Sequence, residues 1–144
     1  MEVFRGGQVE EVIAVRLDPG DDVHECVTKV ARNENVQTGV IVSGIATFDK
    51  TRWHSITTID FPPKDKFFEM TGPTEVSGIH GIIADHKPHM HFTCANYDTE
   101  QVVSAHLEPG CKTLYLTEIV ILKIRNLRLT RKLNKELQIM QLTK

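Results

Sequence analysis

VEEVIAVRLDPGDDVHECVTKVARNENVQTGVIVSGIA, residues 9–46, sets a strand, a capped helix and a second strand in immediate succession. Val9 to Leu17 is rich in aliphatic residues and predicts a strand. Asp18-Pro19-Gly20 predicts a turn, because proline presets its own φ and glycine accepts the left-handed region. Asp21 or Asp22 can then cap a helix, since a short side-chain oxygen reaches the unpaired amides of a first turn. Val23, Cys26, Val27, Val30 and Ala31 follow at spacings of three, one, three and one, a single apolar helical stripe that should end near Asn33 to Asn35. Gly39 to Ala46 predicts a buried strand in which Gly44 admits close approach by a neighbour.

Beyond residue 46 the chain is strand and turn. Arg52 to Phe61 alternates loosely until Pro62-Pro63 ends it, and Lys66 to Met70 makes a short strand before Gly72-Pro73. Glu75 to Ala84 predicts another strand, Asp85 to Pro88 a turn, and His89 to Cys94 the returning strand. Leu114 to Ile124 is the clearest strand, with Leu114, Leu116, Val120 and Leu122 on one apolar face that only Glu118 interrupts. Residues 125–144 allow either a helix, through Leu129, Leu133, Leu137 and Met140, or a terminal hairpin around Asn134-Lys135. One main helix and a run of mostly antiparallel strands give an α+β class. No linker or repeat divides the 144 residues, so residues 1–144 are expected to form a single domain.

Forty per cent hydrophobic and 25% charged residues describe an ordinary globular chain and exclude disordered or collagenous types. Three cysteines without paired spacing suit a reducing compartment, and a cytoplasmic location is expected. The net charge of −2 hides an asymmetry. Residues 1–110 carry nine Lys/Arg against seventeen Asp/Glu, a balance of −8, and residues 111–144 carry eight against two, a balance of +6. A basic end of this kind either meets phosphates or an acidic partner, or is simply a solvated edge.

His89-Met90-His91 is the strongest chemical signal. Side chains two apart on a strand share a face, so both imidazoles project together at a spacing suited to one metal ion. If the intervening loop brings His106 alongside, three neutral imidazoles converge and leave a fourth position for water, an arrangement suited to zinc or a related divalent ion. Taken alone, a His-x-His pair is often merely solvated. His80, between Gly78 and Gly81, is the accessory candidate, whereas His24, His54 and His86 are read as ordinary surface or edge residues. Glu118, a carboxylate on an apolar face, calls for a partner: it serves as an acid/base or a support for a metal-bound histidine, or it lies at an edge or in a salt bridge. Phosphate loops, nucleophile elbows and zinc-finger spacings are absent.

Taken in order, Leu17-Asp18-Pro19-Gly20-Asp21, Ser43-Gly44, Gly72-Pro73, Ser77-Gly78, Pro88-His89-Met90-His91, His106-Leu107, Pro109-Gly110-Cys111 and Thr117-Glu118 give the chain a specific pattern. It resembles the PPC domain family, conserved in plants and prokaryotes, and in particular its stand-alone bacterial and archaeal members, from about Gln8 to Leu142. The resemblance implies a strongly bent, mostly antiparallel sheet with one helix that assembles as a homotrimer, with a core of about residues 8–125 and a basic C-terminal extension, 126–144. It implies a divalent metal, usually zinc, on His89, His91 and His106. One departure is Ser104-Ala105, where the family often has Gly-Gly before the later histidine.

The family's functional label is DNA binding, which makes Arg125, Arg128, Arg131, Lys132 and Lys135 the candidate nucleic-acid residues here, although the chain lacks the Arg-Gly-Arg core of an AT-hook. The expected function is therefore a metal-binding homotrimeric module that associates with DNA or a regulatory protein partner. The alternative is a zinc-dependent hydrolase in which a three-histidine-bound water attacks a small substrate, assisted by Glu118 or His80.

Overall fold

The computed structural model describes residues 1–144 and contains one helix and eight strands. β1 is Gln8–Leu17, α1 Val23–Asn33, β2 Thr38–Ile56, β3 Asp65–Ala84, β4 Lys87–Asn96, β5 Val102–Leu107 and β6 Lys112–Arg125. β7, Thr130–Asn134, and β8, Ile139–Thr143, form a separate terminal hairpin. The larger sheet runs β1-β6-β2-β3-β4-β5, and every recorded pairing is antiparallel. This is the expected α+β class.

The length of β2 and β3 forces the sheet to bend. Twenty residues at about 3.3 Å each would stretch roughly 66 Å, whereas a 144-residue domain has a radius of gyration of only about 15 Å. Bulges absorb the curvature, with register shifts in β2–β3 at Phe48/Lys50 and in β3–β4 at Val76/Gly78. Gly72-Pro73, expected to break the chain into two strands, instead lies within one continuous β3. It supplies an extra residue opposite Phe48–Lys50, with Gly72 at φ +103.

Bending lets the last turn of β2 meet β5 through Trp53↔Leu107 and His54↔His106. Because β5 also pairs with β4, the strands β2, β3, β4 and β5 close into a ring, from which β6 and β1 extend. The helix packs on β4 and β6 through Val23, Val27 and Ala31, all fully buried, as its stripe predicts. Asp22 is the cap: its carboxylate accepts from the Glu25 amide at 3.0 Å and from the Gly110 amide at 2.7 Å, tying the helix start to the β5–β6 turn. Phe48 and Phe92 fill the ring side of the core, each worth about 1.5–3 kcal/mol of burial. Gly44 sits where an added Cβ would lie 2.8 Å from Ile79 Cβ, which is the close approach its position suggests.

The face predicted for β6 is reversed. Thr117, Ile119 and Ile121 face the core, while Leu114, Leu116, Glu118, Val120 and Leu122 lie on the outer face, half-buried or exposed. Aliphatic residues occupy both faces of this strand, so alternation alone does not distinguish them. Residues 125–144 resolve as the hairpin. Asn134 Oδ1 accepts from the Glu136 and Leu137 amides and turns the chain, leaving no continuous helix for the leucine stripe. The hairpin is anchored to the body where Leu129 N–H donates to Thr38 Oγ1 and Leu129 O accepts from Asp85 N–H. No helix in the chain is long and apolar enough to cross a membrane.

Candidate metal centre

Strand register assembles the histidines. Across the ring, His54 pairs with His106, His106 with His91, and His91 with His80, so one row of imidazoles crosses β2, β5, β4 and β3. His89 stands two residues before His91 on the same outer face of β4, and the alternate residues Met90 and Phe92 point into the core. The row lies outside the ring, with the core immediately behind it.

His89 Nε2 and His91 Nε2 are 3.3 Å apart, and one ring nitrogen from each of His89, His91 and His106 lies within 4.8 Å of the others. The His89 and His106 rings are 4.7 Å apart, and those of His91 and His106 5.3 Å. Burial is the main force on all three imidazoles, and it lowers their pKa values. Neighbouring cationic forms add to it: Arg131 and His91 for His89, His80 and His54 for His91. His106, pressed by burial and then by His54, His89 and His91, falls to about 3. At neutral pH the cluster therefore offers three uncharged imidazoles with free lone pairs. Ser104-Ala105 does not displace His106: Ala105 is buried on the core side, and Ser104 Oγ accepts from Thr93 Oγ1 at 3.2 Å.

A second group shares His106. His54 donates from Nδ1–H to Glu108 Oε1 at 2.6 Å, the same oxygen lies 3.7 Å from His106 Nε2, and the His54 and His106 rings are 4.3 Å apart. The three can also be grouped around one ion. The expectation that His54 is an ordinary edge residue is thus corrected: the β2–β5 seam brings it against His106. Glu108 was missed, although its place two positions after His106 was a local signal, whereas the seam itself leaves no local mark in the sequence.

Other expectations fall outside the cluster. His80 is exposed, its ring 6.4 Å from that of His91, and belongs to neither potential ligand group. Glu118 is exposed on β6, opposite Arg16 of β1, rather than held on a buried apolar face. The thiols are not competing ligands, since burial pushes Cys94 to about 11 and Cys111 to about 12. Of the basic residues, Arg125, Arg128, Lys132 and Lys135 are exposed, but Arg131 turns inward. Its guanidinium donates to Ile82 O at 3.0 Å and to Lys87 O at 3.3 Å beside the histidines.

Together these features define a small α+β domain whose bent, ring-closed sheet carries a histidine row on its outer face. The chain belongs to the Plants and Prokaryotes Conserved (PCC) domain family, whose model matches residues 4–125. Its fold is similar to that of the metal-containing protein from Archaeoglobus fulgidus, with a TM-score of 0.82 and 20% identity over 100% of both chains. It is also similar to a plant- and prokaryote-conserved (PPC) protein from Pyrococcus horikoshii, with a TM-score of 0.79 and 20% identity over 99% of both chains. A candidate DNA-binding protein from Bacteroides thetaiotaomicron aligns with a TM-score of 0.80 and 14% identity, over 98% of this chain and 96% of that one. At these identities the likeness is one of fold. Among curated proteins, the bifunctional protein GlmU of Synechococcus sp. is 23% identical over 121 residues, 84% of this chain, and the chain spans 18% of that protein's length.

Proposed function

We propose that this chain is a divalent-metal-binding PCC module, with zinc held by His89, His91 and His106, that works as a homotrimer associated with DNA or a regulatory partner. The observation that carries it is the convergence of three neutral imidazoles from two adjacent strands. The donor set fits: two nitrogens at roughly 2.0–2.1 Å from a tetrahedral ion stand about 3.3–3.4 Å apart, and the His89–His91 separation is 3.3 Å. Bound there, a divalent ion would supply Lewis acidity and a position for an exchangeable ligand. The metal-containing relative from Archaeoglobus fulgidus supports the same reading. Elemental analysis of untagged protein, loaded with zinc and desalted, should return one ion per chain, and near-zero metal would remove the site. The hydrolase alternative gains no support, because Glu118 and His80 both lie outside the cluster.

The domain is read as a core of about residues 8–125 with the hairpin-bearing 126–144 as its extension. Trimer formation is supported by the outer face of β1, β6 and β2, where Val12, Ile45 and Leu116 remain 63%, 49% and 39% exposed. Further copies of the chain covering this face would remove that apolar surface from water. Light scattering should give three times the 16.3 kDa chain mass, and Ile45→Glu with Leu116→Glu should shift it toward one. A wild-type mass of one chain would overturn the trimer.

The DNA association follows what the resemblance implies and the description of the Bacteroides relative. With Arg131 turned inward, Arg125, Arg128, Lys132 and Lys135 remain for phosphates. Binding should be weak, with a log–log salt slope of about −3, as for three or four phosphate contacts. Nanomolar affinity at physiological salt would contradict this.

A further inference from the structure

The hairpin that follows the matched segment lies beside the histidine row. Residues of the hairpin line, with the β2–β3 turn, an open cavity of about 830 Å³ at the histidine row, within the size range of small-molecule sites. The floor is His54, His89, His91 and His106, and Thr130, Arg131, Gln138, Ile139 and Met140 descend from the hairpin. All five hairpin residues lie after residue 125, where the family match ends, so this side of the cavity belongs to the chain beyond the matched segment.

The formal charges of the lining sum to zero, Asp65 and Asp85 against Lys87 and Arg131, but they are not all paired. Lys87 has Asp85 at 3.6 Å, and Asp65 is exposed at the rim. Arg131 has no carboxylate within 4.0 Å; its two recorded hydrogen bonds go to the backbone carbonyls of Ile82 and Lys87. Those bonds use two of its five N–H groups and fix the guanidinium plane beside the row, leaving the others free. Guanidinium is half-buried there, and burial disfavours its charged form, so an opposite charge is the missing partner. On β7 the neighbouring Lys132 is exposed, and alternation sends it to the opposite face.

We propose that this cavity binds a small anionic ligand through a carboxylate or phosphoryl group placed between the His-bound metal and Arg131, with the apolar hairpin residues covering the remainder. This rests on the metal reading above and adds to it a ligand class and a residue that selects it. Arg131 is a specificity residue here rather than a metal ligand: its planar fork suits an oxyanion. It also replaces the earlier assignment of Arg131 to a nucleic-acid face.

The test uses the full chain loaded with cobalt(II), whose visible spectrum reports exchange at the open coordination position. Titration with inorganic phosphate and, separately, with acetate should change the spectrum saturably, and the tighter of the two identifies the group. Arg131→Gln should weaken that anion at least tenfold while cobalt stays at one per chain, and Lys132→Gln, an equal charge change on the other face, should stay within twofold. Arg131→Lys, which keeps the charge without the fork, should fall between wild type and Arg131→Gln. If cobalt binds and neither anion alters the spectrum up to tens of millimolar, the anion site is overturned and the metal reading stands. Equal weakening by the glutamine variants overturns it as well, since overall charge would then suffice. Failure to take up cobalt at all overturns both.

Discussion

Replacing His106 by alanine should lower bound zinc from one ion per chain to below one-tenth, measured by elemental analysis after desalting. The variant leaves two imidazoles, which no longer complete the three-ligand set that holds a catalytic-type ion. A fold control is built into β5, because His106 faces outward while Ala105 and Leu107 face the core. The metal-free variant should also lose its acid sensitivity in part. His106 has a folded pKa near 3, against 6.5 as its ordinary value, so between those values the unfolded chain binds a proton that the folded chain refuses. Stability from this group is full above about pH 6.5 and declines as the pH falls toward 3; His89 and His91, lowered in the same direction, add to the slope. The melting temperature of metal-free wild type should therefore fall between pH 7 and pH 4, and that of metal-free His106→Ala should fall less steeply. Equal zinc in the two proteins would sink the metal assignment, and parallel pH slopes would sink the lowered pKa of His106.

The second large effect comes from a residue with no side chain. An added Cβ at Gly81 would overlap the carbonyl oxygen of His89 and come within 3.0 Å of Met90 Cα. Both obstacles are backbone of the paired strand, which cannot swing aside as a side-chain tip would. Gly81→Ala should cost roughly 3 kcal/mol, or on the order of 10 °C in melting temperature. Because the strain falls on His89 itself, zinc affinity should drop with it although no ligand has been removed. Gly78→Ala, with nothing within 4 Å of the new Cβ, should stay within about 0.5 kcal/mol of wild type and keep its zinc. Gly81→Ala melting and binding zinc like wild type would show that β3 and β4 are far less constrained than their register implies.

These two residues also mark the limit of what the sequence conveys. His89 and His91 were legible because a strand's period of two is local, and α1 was legible because its cap and its stripe sit within eleven residues. His54 was not, since only the bend of a 19-residue strand brings it to His106, and curvature arises from bulges distributed over its pairings with β3 and β6. Gly72-Pro73 misleads for the same reason: the pair signals a break, and within a long paired strand its extra residue is accommodated as a bulge. The faces of β6 were misassigned because a strand shared between core and outer surface carries aliphatic residues on both, and burial is decided by which face the helix covers. Arg131 was counted with its basic neighbours by charge, while alternation along β7 sends it to the opposite side from Lys132.

The seam that closes the ring is short, only Trp53↔Leu107 and His54↔His106, between residues more than fifty positions apart in the chain. With two residue pairs, it is the shortest pairing in the larger sheet. An ion on His89, His91 and His106 would fasten β5 to β4 right beside that seam, so the metal would act as a latch on the thinnest joint of the ring. Bound metal should therefore protect the β5 edge from fraying, and its removal should free that edge first.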